Sequence, residues 1–144
     1  MANNYVQFSE IIDELTPEEI LWLKENLPRF TEWDEETDNS ELAAPACKME
    51  LVLDEKTPHL WLHSDECSLD ETKLGLFIKE FFGKFRPNEV FALTYACTCS
   101  KMRTGEFSGG AMVFSRLGAT GWSAYDWARE AEIQMRIRLK GEPS

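Results

Sequence analysis

Residues 91–114 read FALTYACTCSKMRTGEFSGGAMVF, and this stretch constrains the fold more than any other. Phe91, Leu93, Tyr95 and Cys97 alternate with Ala92, Thr94, Ala96 and Thr98. Strict alternation sets a heavy face against a light one, which predicts a half-buried strand over residues 90–99. A polar loop follows, then Gly109-Gly110 and a second apolar run over residues 111–115. Two extended runs joined by a loop pair antiparallel, so the chain is built around an antiparallel sheet.

The rest of the sequence fits that frame. Residues 48–62 repeat the pattern: Met49, Leu51 and Leu53 alternate with polar neighbours, a turn of residues 54–58 follows, and Leu60 and Leu62 resume. This reads as a second hairpin. Thr16-Pro17-Glu18-Glu19 is a capping box with proline at the first helical position, followed by Ile20, Leu23 and Leu27 at helical spacing. A shorter helix is expected before it, over residues 9–15. Ser68 to Glu71 reads as a second capping box, opening a helix with the stripe Leu74, Phe77, Ile78, Phe81 and Phe85 that stops at Pro87-Asn88. Residues 117–121 read as a turn with room for a short strand. Ser123 to Asp126 opens a last helix whose stripe is Ala124, Trp127, Ala128, Ala131 and Met135. Its Arg136, Arg138 and Lys140 suit the negative end of a helix dipole. The expected fold is α+β: an antiparallel sheet of about four strands with helices on one face, in the order α(α)-ββ-α-ββ-α. Residues 1–31 form an N-terminal helical segment, 32–46 an acidic linker and 47–144 the α+β domain.

Charge narrows the function classes. The net charge is −11, and it is unevenly placed: residues 1–71 carry −15 and residues 72–144 carry +4. Phosphate neutralisation requires clustered cations, so direct nucleic-acid binding is not expected. A basic partner, or a solvated acidic surface, suits the first half. Residues 32–41 hold six carboxylates around Trp33, which either packs back on the body or anchors a partner. No cationic start leads into an apolar run and no stretch approaches membrane length, so the expectation is a cytoplasmic chain without a membrane.

Three chemistries can be weighed. Cys47, Cys67, Cys97 and Cys99 with His59 and His63 offer metal-ligand types, but no CxxC pair is present and the spacings are poor for zinc. Buried, reduced cysteines are the default, with a metal-stabilised domain as a further alternative reading. Cys99 near Lys101 and Arg103 would have a lowered thiol pKa, and the Gly109-Gly110 amides could serve an oxyanion, which leaves a small enzyme as the alternative reading. Against it, glycines after a loop more often mark tight strand entry. GEFSGG precedes a strand and does not match a phosphate loop. The loop with Lys101, Met102, Arg103, Glu106 and Phe107 mixes charge with adaptable apolar groups, as recognition surfaces do. The expected binding residues are therefore Lys101, Arg103, Glu106, Phe107 and Trp33. No catalytic set, cofactor or metal is assigned.

The same loop carries a resemblance. Thr98, Cys99, Ser100, Lys101, Arg103, Gly105, Glu106, Phe107, Gly109 and Gly110 match the pattern T-C-S-K-x-R-x-G-E-F-x-G-G. With LWLHSDE at residues 60–66, FFGKFRP at residues 81–87 and Asp126-Trp127, the chain is similar to a family of small acidic proteins encoded by bacterial phages, plasmids and integrative elements. The likeness covers residues 60–130. Met102 stands where the family pattern has proline, and Ser108 where it has glycine. The family carries no assigned activity. The resemblance implies a mobile-element accessory protein that binds a host or element protein. In its sharper form the partner is a defence or nucleic-acid-handling factor, a basic nucleic-acid-binding protein met by the acidic surface.

Overall fold

The structure is a computed structural model that describes residues 4–33, 44–53, 56–64, 69–99 and 108–141. The element order is β1 (Asn4–Gln7), β2 (Ser9–Ile12), α1 (Pro17–Asn26), α2 (Pro28–Thr31), β3 (Lys48–Val52), β4 (His59–His63), α3 (Glu71–Phe85), β5 (Phe91–Cys99), β6 (Ser108–Ser115), β7 (Gly118–Ser123) and α4 (Ala124–Gly141). The α+β class with antiparallel sheets holds. The strands form two sheets, ordered β1-β5-β6-β7 and β2-β4-β3. Both expected hairpins are present, β3 pairing with β4 and β5 with β6.

The N-terminal stretch differs from its expectation. Residues 9–12 are a strand, paired Ser9 to His63 and Ile12 to Leu60. β1 pairs with β5 in the other sheet, Gln7 across from Ala96. One nearly continuous run thus supplies an edge strand to each sheet, and buried Phe8 sits at the crossing. Its backbone N–H donates to Ser64 Oγ at 3.3 Å, and its carbonyl accepts from Ser64 N at 3.2 Å.

Beyond β2 the chain turns at Glu14, which holds a left-handed φ of 54°. That conformation costs a β-carbon-bearing residue roughly 1 kcal/mol. Arg86, the residue that caps the C-terminus of α3, holds the turn: its Nη2 donates to the Asp13 carbonyl at 2.7 Å and to that of Glu14 at 3.1 Å. The same guanidinium meets the buried Glu19 carboxylate at 2.7 Å. Glu19 completes the capping box of α1, accepting from Thr16 N while Thr16 Oγ1 accepts from Glu19 N. Burial raises the Glu19 pKa, but the hydrogen bond from Arg86, the one from Thr16 and the Arg86 charge outweigh it, and the net direction is down.

α3 is the hub of the core. Leu74, Phe77, Ile78, Phe81 and Phe82 are all at most 1% exposed. Such side chains each contribute roughly 1.5–3 kcal/mol on burial. Trp22 of α1 packs on Phe81 with ring centroids 5.7 Å apart, and Phe30 of α2 meets Phe77 edge-on at 5.2 Å. Arg29 and Glu80 add an exposed ion pair at 3.2 Å. From the sheets come Leu60, Leu62, Leu93 and Phe114, and one cluster joins them all. Asp70 caps α3, accepting from Lys73 N at 3.0 Å. Ser68, the expected cap, lies outside the described residues.

α4 departs most from the amphipathic reading. It buries no residue, and its expected stripe is exposed except at half-buried Ala131. Trp127 is 62% exposed and Met135 52%.

Candidate functional site

The alternation in β5 places Tyr95 on the core-facing side, directly across from Gly110 of β6. A Cβ built at Gly110 would strike the Trp122 carbonyl oxygen, and would come within 2.6 Å of the Tyr95 hydroxyl. Only glycine lets the phenol ring lie over its neighbour strand. Gly109 is held as tightly, its Cβ position falling 2.8 Å from the Tyr95 carbonyl oxygen. The glycine pair therefore serves strand packing inside the ladder, Gly109 across from Ala96 and Gly110 between Tyr95 and Ser123.

Two helix N-termini converge beside that ring. α3 opens at Glu71, and α4 opens after Ser123, whose Oγ accepts from Asp126 N at 3.1 Å. Between them lies a solvent-open cleft of about 420 Å³, lined by Glu71, Thr72, Tyr95, Trp122, Ser123 and Asp126 among others. Burial, then the charges of Cys97, Glu71 and Asp126, push the Tyr95 phenol up, so at neutral pH it stays protonated. The helix dipoles offset part of the two carboxylate charges. What remains is a neutral hydroxyl between two acids, with the Trp122 indole 59% exposed beside them. That set offers oxygen acceptors and an aromatic face to a cation, and a guanidinium or ammonium fits both.

Of the expected binding residues, the structure describes Trp33. Lys101, Arg103, Glu106 and Phe107 belong to the segment joining β5 to β6 and lie outside the described residues. Trp33, just after α2, is 71% exposed. The cleft residues were not singled out in the sequence as a site. Glu71 and Asp126 carried a signal, each as the acid of a helix start, but their convergence is tertiary.

The metal-ligand candidates among the described residues do not come together. Cys47 is buried, and desolvation pushes its thiol up to about 12, which keeps it protonated and unreactive. Cys97 is half-buried; Cys67 and the Cys99 side chain lie outside the described residues. His59 Nδ1 donates to the Thr57 carbonyl at 3.2 Å. His63 donates from Nε2 to Glu50 at 2.9 Å and stacks on Trp61, whose own Nε1 donates to Ser9 Oγ at 2.8 Å. Among the described residues no three of His, Cys, Asp and Glu come together as a metal set. No helix among them is long and apolar enough to cross a membrane.

Comparison of the chain with protein-family models, with curated proteins and with solved structures finds no match in any of the three.

Proposed function

We propose that this chain is a non-enzymatic binding protein that takes a basic side chain of a partner protein into the cleft between α3 and α4. One observation carries the reading: Glu71, Asp126 and the neutral Tyr95 hydroxyl converge in an open cleft rimmed by Trp122. Aromatic anchors beside buried-to-exposed polar groups are the composition of protein interfaces. The acidic net charge of −11 supports a basic partner by steering its approach. A cytoplasmic accessory role on a bacterial mobile element, directed at a basic nucleic-acid-handling protein, is the biological form of the same proposal and rests on the resemblance of residues 60–130.

Titration calorimetry with an arginine-rich peptide tests it. Glu71→Gln/Asp126→Asn is expected to weaken binding by about tenfold. Glu18→Gln/Glu25→Gln removes the same charge from an exposed stretch of α1 and is expected to change little. Equal losses in the two variants would reduce the interaction to diffuse electrostatics and overturn the reading.

A further inference from the structure

β7 ends the first sheet, last in the order β1-β5-β6-β7. Sheets guard such edges with brevity, charge, proline or a bulge, because a bare edge pairs with other chains. Of the other edge strands, β1 and β2 are four residues long, and β3 carries Lys48 and Glu50. β7 has six residues, no charge and no proline. It keeps step with β6 without a bulge, from the Gly118–Ser115 pair to the Ser123–Gly110 pair. Every residue of it but Ser123 is exposed.

The register shows which backbone groups are free. Arg116 and Leu117 form a two-residue turn, so the flanking pair, Ser115 and Gly118, is the hydrogen-bonded kind. Bonded pairs alternate along an antiparallel ladder. Gly118, Thr120 and Trp122 therefore direct their N–H groups to β6, and those of Ala119, Gly121 and Ser123 point outward. Among the described residues no backbone group meets them there.

The same three residues lie on the α3 side of the sheet, across from Phe114, Met112 and Gly110. Phe114 marks that side: a Cβ built at Gly75 of α3 would lie 3.9 Å from its ring. All three are small, and Gly121 must be, since its Cβ would fall 2.6 Å from the Ala111 carbonyl oxygen. They line the cleft together with Glu71 and Asp126. A strand laid along β7 would sit about 4.8 Å beyond it, with alternate side chains turned to the α3 side. A side chain beside Gly121 then enters the cleft, where the two carboxylates favour a basic one. Main-chain bonds would supply affinity and the acids the choice of residue.

We propose that β7 takes an extended segment of a partner protein as an added strand, which sets an arginine or lysine side chain between Glu71 and Asp126. The proposal deepens the cleft reading and rests on it.

Amide hydrogen exchange by NMR, run beside calorimetry on the full chain, is the test. The probe is an end-capped heptapeptide of alternating threonine and valine with one central arginine, a composition that favours extended backbone. It is expected to slow exchange at Ala119, Gly121 and Ser123 by about tenfold or more, and to change Thr120 and Trp122 little. Of two versions N-methylated on alternate amides, one should lose binding and the other keep it. Binding without protection of the three amides, equal binding by both methylated versions, or binding of an arginine-rich peptide but not of this one overturns the added strand and leaves the cleft reading standing. Binding of neither peptide overturns both. Protection already present in the free protein and rising with its concentration would assign the edge to a second copy of the chain and overturn the proposal.

Discussion

Glu19 and Gly110 show how much single side chains decide here. Glu19 is buried and bound by Arg86 at 2.7 Å, so Glu19→Gln leaves a guanidinium without its counter-charge. The expected cost is about 3 kcal/mol in urea denaturation at neutral pH. The sign of the pH dependence follows from the direction of the shift. Glu19 has a lowered folded pKa, so its contribution is present above the unfolded value of about 4.3 and lost as pH falls through the folded one. Wild type should therefore lose more stability than Glu19→Gln on acidification across that window; parallel acid limbs would contradict the assignment. Gly110→Ala forces a β-carbon against the Trp122 carbonyl and the Tyr95 hydroxyl, and backbone cannot swing aside as a side chain can. A loss of about 2 kcal/mol is expected from thermal melts. In the sequence Gly109-Gly110 already read as tight strand entry. Which ring needed the space was not legible, because Tyr95 and Gly110 meet only through strand register.

Helix caps and strands show the same division between what is local and what is not. Thr16 with Glu19 was readable because both partners lie within one turn, and Thr16→Ala should cost about 1 kcal/mol. Asp70→Ala should cost a similar amount by removing the acceptor of Lys73 N, measurable as a lowered urea midpoint at constant m. Ser68→Ala is the comparison that separates the two candidate caps. The helix expected over residues 9–15 failed for a physical reason. Ile11, Ile12 and Leu15 suit a helical face, and four residues are too few for alternation to speak. What decides β2 is its pairing with β4, some fifty residues away in sequence, which no local pattern encodes. The α4 stripe has helical spacing and the helix is there, but spacing alone does not say whether such a face is covered.

At the scale of the whole molecule, α3 ties the helices to both sheets. Phe77 touches Phe30, Trp22 and Phe81, and one core cluster extends from Phe8 to Phe114. Phe77→Ala is expected to cost about 3–5 kcal/mol. It should lower the helix signal by far-UV circular dichroism and the tryptophan fluorescence at one common midpoint, as a single cooperative unit requires. Two separated midpoints would mean that the N-terminal helices and the sheets unfold independently. The cleft belongs to this scale too. Tyr95, Glu71 and Asp126 come from three elements, each understandable alone, and only the packing of α3 against the first sheet and the start of α4 directly after β7 bring them together.

The crossing at Phe8 has a consequence for how the protein ages in a cell. β1 covers the outer edge of β5, and β2 covers the outer edge of β4. A protease that removed residues 1–12 would strip both edges in one cut, leaving two rows of unsatisfied backbone groups flanked by apolar side chains. Such bare strand edges template the pairing of further chains. The clipped product would then be cleared by precipitation sooner than by unfolding, and turbidity should rise on limited proteolysis before the core itself is digested.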